Sequence, residues 1–309
     1  MLQSLFYQEK GTFLQSLHPA VSLTYITVLL LTALVFDHPF YLVSILLATW
    51  LAIRAADGMT AWESYLKVAL WLALLVMLIN PLVNHNGSSV IWYGPALPLF
   101  GRFTVTMEAV AFGAAMGIRL LALVSIFCLF NQIIHPDRFF SLLARFAGKS
   151  ALVLSLTTRL LPVMALAMGR ISEAQQLRGV DFIQGTLTQR LKKSTDLLNI
   201  LLVTSLEDSL QVAEAMHARA FGSGPRTRYR QNLFRPRDGI CLSSCFLALA
   251  ISFYCLFSGA AGYEYFPALS ALYGSETTLP ALALLLLLLS WPALLSWGWN
   301  HCRYLKSKI

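Results

Sequence analysis

The chain has 309 residues, of which 57% are hydrophobic and only 12% are charged, and its mean hydropathy is +0.64. A soluble domain carries about 25% charged residues, so this composition excludes a soluble globular protein and indicates an integral membrane protein. The net charge of +8 fits lysine and arginine residues that cluster beside membrane segments, so we expect the lipid bilayer as a partner and no nucleic acid.

Six apolar segments predict membrane-spanning helices. In chain order they cover residues 21–36, 40–53, 66–83, 104–134, 241–259 and 279–299. The first two are short for a hydrocarbon core about 30 Å thick, so they must borrow flanking residues. Tryptophans flank the leucine-rich last segment, as is typical of the membrane interface.

A seventh apolar segment, residues 151–170, is ambiguous. It carries Arg159 in its middle and Pro162 three residues later. A charge at the centre of a bilayer costs about 3 kcal/mol on insertion scales, which argues against a membrane span. The sequence of the segment alone leaves six or seven spans open.

The distribution of positive charge favours six spans. Fifteen of the 23 Lys and Arg residues lie in residues 135–238, and with six spans that region shares one side with both termini and with the loop 54–67. The loops on the opposite side then contain one positive residue, Arg102. The positive-inside rule therefore predicts that both termini are cytoplasmic and that residues 151–170 lie at the membrane surface.

These observations predict an all-α polytopic membrane protein with a cytoplasmic insert between the fourth and fifth spans. Its expected parts are an N-terminal membrane bundle of four spans (residues 1–134), a set of cytoplasmic helices (135–238) and a C-terminal membrane segment of two spans (239–309).

The insert is expected to be mostly helical. A helix is predicted over residues 135–150 and a second over residues 151–179, kinked at Pro162. Gly185 then breaks the chain before a long helix over residues 188–220. An apolar stripe on this helix should face the membrane bundle or the companion helix. The stripe consists of Leu191, Leu198, Leu202, Leu206, Leu210 and Ala213.

Two helices of the insert end in an arginine, Arg178 and Arg219, followed by a small-residue turn. Gly179 suits a left-handed helix cap, whereas Ala220 is a poorer cap and Gly222 is expected to take that role. One interpretation is structural, because an arginine at a helix C-terminus complements the macrodipole by about 0.3–1 kcal/mol. The occurrence of two such ends favours a second interpretation, in which each exposed guanidinium forms a two-pronged pair with a carboxylate of a partner.

A set of motifs runs in order along residues 12–260: "SLHPAVSL", "INPLVNHNG", "TVTMEAVAFGAAMGIRLLALV", "HPDRFFSLLARF", "LSLTTRLLPVM", "AQQLRGVDF" and "EDSLQVAEAMHARAFGSGPRTRY". As an ordered set they resemble the transmembrane T component of energy-coupling factor (ECF) transporters, a family that includes the CbiQ-like cobalt-transport permease subunits. The resemblance implies a scaffold subunit in the cell membrane of a prokaryote.

The resemblance also implies where partners bind. In the family two coupling helices end in Ala-Arg-Gly, and each end sits in a groove of one of two ABC-type ATPase subunits. The matching triplets here are Leu177-Arg178-Gly179 and Ala218-Arg219-Ala220. Leu177 departs from the family alanine, Ala220 departs from the family glycine, and a basic residue is usual near Ser22.

Substrate recognition is assigned by the resemblance to a separate membrane subunit, the S component. Its substrate would be a vitamin, a cofactor precursor, or a cobalt or nickel ion. ATP would be bound by the partner ATPases, and this chain is expected to bind no cofactor and to catalyse no reaction. The alternative is a permease that binds its own substrate. Such a permease has polar or broken helices at the bilayer midplane, whereas the spans here are mainly aliphatic and aromatic.

Other motifs are weaker. "FAGKS" (residues 146–150) resembles the end of a phosphate-binding loop but has Leu143 where that loop needs glycine. An intramembrane enzyme would need paired carboxylates or a nucleophile with its base, and Glu108 stands alone in the spans. For Arg119, inside the fourth span, we favour a structural contact or a place near the cytoplasmic end over a polar pathway.

No metal site is expected. His18 and His85 lie beside a proline or in a polar turn, where ordinary turn packing is the simpler explanation. Cys241 and Cys245 are four residues apart and could share a helix face, but we expect no His or carboxylate ligands to complete a metal site with them. Residues 224–237 are basic and are expected to form a solvated run that faces lipid headgroups.

Overall fold

The computed structural model describes residues 11–84, 88–97, 101–134, 136–182, 184, 186–224, 234–267, 269–270 and 278–301. Their fold is that of an all-α polytopic membrane protein, as predicted. Apart from a single 3-10 turn at Leu14–Ser16, the elements in chain order are α1 (Pro19–Val35), α2 (Pro39–Ala55), α3 (Met59–Val83), β1 (Val90–Leu97), β2 (Gly101–Thr106), α4 (Met107–Ile133), α5 (Pro136–Leu177), α6 (Leu187–Ala218), α7 (Pro236–Phe257) and α8 (Thr278–His301).

Among the described residues, five stretches of helix are long and apolar enough to cross a membrane: Met59–Val83, Met107–Ile133, Leu152–Leu177, Pro236–Phe257 and Thr278–Trp299. Four of them correspond to predicted spans, and Leu152–Leu177 contains the ambiguous seventh segment. The two remaining predicted spans are α1 and α2, which have 17 residues each. Each is therefore shorter than the roughly 20 residues that a spanning helix needs. At 1.5 Å per residue, each is about 26 Å long.

The chain divides into two compact units. The first, here called the bundle unit, comprises Met1–His135 and Leu233–Ile309, and the second, the insert unit, comprises Pro136–Asn232. From the sequence we expect residues 135–238 to lie in the cytoplasm and residues 1–134 and 239–309 to form the membrane parts. This division between membrane and cytoplasm stays a prediction.

The bundle unit is organised around α4, which contacts α1, α2 and α3. Two glycines of α4 let α3 approach closely. A Cβ added to Gly113 would lie 3.2 Å from the Cβ of Asn80, and one added to Gly117 would lie 3.4 Å from the carbonyl oxygen of Ala73. Small residues at such a contact let two helices pack backbone to backbone, which is the main source of helix association inside a membrane.

A β-hairpin precedes α4, in a stretch that the sequence assigned only to an outer loop and to the start of the fourth span. Strands β1 and β2 pair antiparallel, from Val90 opposite Thr106 to Leu97 opposite Gly101. The helix therefore begins at Met107 rather than at residue 104. Thr106 caps it, because its hydroxyl oxygen accepts the backbone N–H of Ala109 at 3.4 Å.

The insert unit consists of two long helices that pack on each other, α5 and α6. The sequence predicted two helices over residues 135–179, and this was wrong, since α5 is a single helix of 42 residues that includes Pro162. A glycine inside a helix costs only about 1 kcal/mol, so Gly148 does not break it. The predicted long helix is confirmed as α6, which has 32 residues and is about 48 Å long.

Candidate functional site

The two arginine-bearing helix ends lie in the insert unit. We call residues 177–180, at the end of α5, the first tip and residues 218–221, at the end of α6, the second tip. Arg178 and Arg219 are both exposed. Within the described part of the chain, neither guanidinium makes an ion pair or a hydrogen bond, so both charges are free to meet a partner.

The first tip closes α5 with two backbone hydrogen bonds. The N–H of Gly179 donates to the carbonyl of Gln176 at 2.9 Å, and the N–H of Val180 donates to the carbonyl of Gln175 at 3.0 Å. Gly179 has φ +86°, in the left-handed region. This pattern is the Schellman motif, and it places Arg178 at the last position before the left-handed residue.

The second tip has the same geometry. The N–H of Ala220 donates to His217 at 2.9 Å and the N–H of Phe221 donates to Met216 at 3.1 Å. Ala220 has φ +55° and so takes the left-handed position that the sequence had assigned to Gly222. That assignment was wrong because the two hydrogen bonds require the left-handed residue directly after the C-cap, whereas Gly222 lies two residues further on.

The tips are therefore equivalent in backbone, and each presents its arginine at the same position of the same motif. A guanidinium held there by a rigid helix end can form two parallel hydrogen bonds with a carboxylate. Leu177, Gly179, Ala218 and Ala220, which flank the two arginines, are all exposed as well. The arrangement is suited to binding a partner surface, and it offers no nucleophile or acid–base pair.

The apolar stripe predicted on α6 is exposed in this chain. The exposed fractions of its central members lie between 46% and 65%, for Leu198, Leu202, Leu206 and Leu210. The stripe does not pack on α5, which is one of the two surfaces that we expected it to face. Packing on another surface stays a prediction.

The seam between α5 and α6 lies one residue away from that stripe. Leu197 and Leu201 are the buried residues of α6, with exposed fractions of 6% and 9%. A cavity of about 130 Å³ lies along the seam. Its walls are formed by Leu160, Val163, Met164 and Ala167 of α5 and by Leu201, Thr204, Ser205, Asp208 and Ser209 of α6.

Arg119 is a structural residue of the bundle unit. Its Nη2 donates to the Asp37 carboxylate and to the Phe36 carbonyl, the latter at 2.8 Å. The hydroxyl of Tyr265 donates to the Asp37 carbonyl at 2.8 Å. Burial is the main cause that raises the pKa of Tyr265 to about 12, so this hydroxyl keeps its proton at neutral pH. The structural interpretation of Arg119 is confirmed, and its partner lies in the loop between α1 and α2.

Glu108 also holds the fold together. Its side chain is 2% exposed, and its Oε1 accepts the Ser88 hydroxyl at 3.0 Å, the Ser89 hydroxyl at 2.8 Å and the Ser89 N–H at 3.0 Å. These bonds tie the segment before β1 to the first turn of α4. Across the described residues, no three His, Cys, Asp or Glu side chains come together.

Arg237 and Asp238 were missed by the sequence analysis, which placed Arg237 in a solvated basic run. Arg237 is only 3% exposed and lies over the rings of Phe13 and Trp299, at 5.5 Å and 5.4 Å. The Asp238 carboxylate accepts the N–H of His18 at 3.1 Å. The signal was present in the sequence, because an acid in the first turn of a helix is favoured by the helix dipole.

The remaining sequence predictions have mixed outcomes. The Nδ1 of His18 accepts the N–H of Ala20 at 3.2 Å, so its role in turn packing is confirmed. Residues 146–150 are helical within α5, which excludes a phosphate-binding loop there. His85, Gly185, residues 225–233 and residues 302–309 lie outside the described part of the chain.

Comparison with known proteins decides the family. Residues 10–229 match the model of the CbiQ cobalt transport proteins, and this range contains α1 to α6 with both tips. The chain belongs to the CbiQ family. Helices α7 and α8 lie beyond the matched range.

Curated relatives of this CbiQ protein carry the name energy-coupling factor transporter transmembrane protein EcfT. The Bacillus subtilis strain 168 relative is 27% identical over 203 residues, which are 61% of this chain and 73% of that protein. The Acidaminococcus fermentans relative is 28% identical over 195 residues, 59% and 70% of the two chains. The Exiguobacterium sibiricum relative is 30% identical over 184 residues, 56% and 67%.

The match to the CbiQ family and these relatives make the chain a T component of the ECF transporter type. With its apolar helices it is a multi-pass protein of a bacterial cell membrane. By family it is a transporter subunit.

Proposed function

We propose that this chain couples ATP hydrolysis by two ABC-type ATPase subunits to the movement of a separate substrate-binding membrane subunit. The ATPases dock on the two tips, with Arg178 in one groove and Arg219 in the other. The imported substrate is a vitamin, a cofactor precursor, or a cobalt or nickel ion. ATP is bound by the ATPases, and this chain holds no cofactor of its own.

One observation carries the proposal. Two helices of different length and sequence end in the same hydrogen-bonded turn, and each presents at the same position an exposed arginine that pairs with no side chain among the described residues. A dipole contribution alone would not require the same motif twice, since any cation in the last turn of a helix supplies it. The names of the relatives add that such chains belong to energy-coupled transporters.

The proposal requires the insert unit to be cytoplasmic, where ATP is available. The concentration of lysine and arginine in residues 135–238 supports that side, and with six spans it supports cytoplasmic termini as well. The α6 stripe is then available to the bundle, to lipid or to the substrate-binding subunit.

The test is substitution of the two arginines, alone and together. If each forms a desolvated charge pair, Arg178→Ala or Arg219→Ala costs roughly 2–5 kcal/mol of ATPase binding. We expect each variant to insert normally but to retain less ATPase in a pull-down and to import less substrate, and we expect the double variant to lose both. Arg→Lys should recover only part, because an ammonium cannot form the two-pronged pair.

Arg170→Ala is the matched control, since Arg170 is an exposed arginine of α5 that lies outside the tip. It should behave as the unmodified chain. Full ATPase retention and uptake in the double variant would leave the arginines as helix caps worth less than about 1 kcal/mol each.

A further inference from the structure

The two tips share a backbone but differ in where they carry a large apolar side chain. In the first tip Leu177 precedes the arginine and is 90% exposed. The equivalent position of the second tip is Ala218. In the second tip the large residue follows the left-handed position instead, as Phe221, which is 52% exposed and corresponds to the smaller Val180 of the first tip.

The apolar side chains that differ between the two tips are the ones that can discriminate between partners. The arginines are identical in charge and in backbone position, so they cannot tell one carboxylate-bearing groove from another. An exposed leucine or phenylalanine gains about 1.5–3 kcal/mol when it is fully buried, and an alanine gains much less. A few side chains that fill well-packed pockets carry most of the energy of a typical interface.

We propose that Leu177 and Phe221 determine which ATPase groove each tip enters. The inference rests on the proposed function of the two arginines. The first tip fits a groove whose apolar pocket lies on the helix side of its carboxylate. The second tip fits a groove whose pocket lies beyond the carboxylate, where the chain leaves the helix. The two tips are therefore not interchangeable, and the two grooves belong to ATPase chains of different sequence.

The test is a pull-down from cells that express this chain with its two ATPases, each carrying a different tag, so that the retention of each is measured separately. Arg178→Ala identifies the ATPase that the first tip binds. Leu177→Ala should lower the retention of that ATPase about tenfold and leave the other unchanged. Phe221→Ala should have the reverse effect. In each sample the ATPase that is retained serves as the control for folding.

A double substitution tests selection directly. Leu177→Ala with Val180→Phe gives the first tip the side-chain pattern of the second, and we expect the bound ATPase to change from the first kind to the second. Leu166→Ala is the matched control, because Leu166 is 66% exposed and lies in α5 about three helical turns before the first tip. It should leave both ATPases bound.

The negative outcomes separate the selection by Leu177 and Phe221 from the coupling function. Wild-type retention of both ATPases in Leu177→Ala and Phe221→Ala, together with losses in the arginine variants, would overturn the selection by Leu177 and Phe221 and leave the coupling function standing. Equal loss of both ATPases in each single variant, or identical ATPase chains at both tips, would overturn it as well. Full retention in the double arginine variant would overturn the proposed function itself.

Discussion

Ala220 adopts φ +55°, a left-handed backbone conformation in which the Cβ of an L-residue crowds the following carbonyl. That crowding costs roughly 1–2 kcal/mol, which glycine avoids. Ala220 keeps this conformation despite the cost because the turn gives a hydrogen-bond donor to two backbone carbonyls that would otherwise lack one. The second tip therefore has the same backbone shape as the first, but its turn is less stable because Ala220 carries this cost.

Reciprocal substitutions should reveal this difference. A Cβ at Gly179 would meet no atom within 4 Å, so Gly179→Ala carries only the backbone cost, about 1 kcal/mol after the entropy of the unfolded chain is counted. We expect about fivefold faster amide hydrogen exchange in the turn of the first tip. Ala220→Gly should slow exchange in the second tip or leave it unchanged. Faster exchange after Ala220→Gly would show that the turn is not strained.

At the scale of a helix, α6 shows how far a sequence pattern can lead. Leucines occur in adjacent pairs, at 197–198 and at 201–202, so two parallel stripes have the same helical period. Periodicity alone cannot choose between them, and the structure buries Leu197 and Leu201. The length of α6 was predictable because its polar and apolar residues alternate with a clear period, whereas the side that meets α5 is decided by tertiary packing.

The predictions for two other elements were wrong because local sequence did not specify the structure. The sequence analysis divided α5 after residue 150, although a glycine inside a helix, here Gly148, costs only about 1 kcal/mol. The β-hairpin before α4 was missed because the sequence analysis treated Ile91 and Trp92 only as part of a loop between two spans. A two-stranded hairpin is marginally stable by itself, so its local sequence predicts it poorly. Spans with clear apolar length, the two helix ends that carry an arginine and the left-handed turn at Gly179 could be predicted from the sequence alone. The turn at Ala220 could not, because an L-residue rarely adopts that conformation.

The seam between α5 and α6 can be tested at two adjacent residues. Leu201→Asp places a charge where the side chain is 9% exposed, and we expect it to destabilise the insert unit by about 3 kcal/mol. Leu202→Asp, at a position that is 56% exposed, should change its stability by less than about 1 kcal/mol. Limited proteolysis of α5 and α6 in the purified chain measures the difference. Equal resistance in both variants would mean that the seam is assigned to the wrong face.

For the molecule as a whole, the decisive property is the side of the membrane on which each loop lies. The sequence predicts a cytoplasmic second tip and an external loop between α7 and α8. In a variant with all five cysteines replaced by alanine, we expect an impermeant thiol reagent added to intact cells to label Glu264→Cys and not Ser223→Cys. Both positions are exposed, so accessibility within the protein does not bias the comparison. Labelling of Ser223→Cys from outside would contradict the six-span topology.

The short helices α1 and α2 have a consequence for the surrounding lipid. The loop that connects α1 and α2 contacts Arg119, which lies about three turns after the start of α4. The pair formed by α1 and α2 therefore ends about three helical turns short of the start of α4. An apolar element shorter than the hydrocarbon layer is accommodated by local thinning of the bilayer, at a fraction of a kcal/mol per Å of mismatch. We therefore expect the acyl chains beside α1 and α2 to be compressed, and the protein to be favoured in membranes built from shorter lipids.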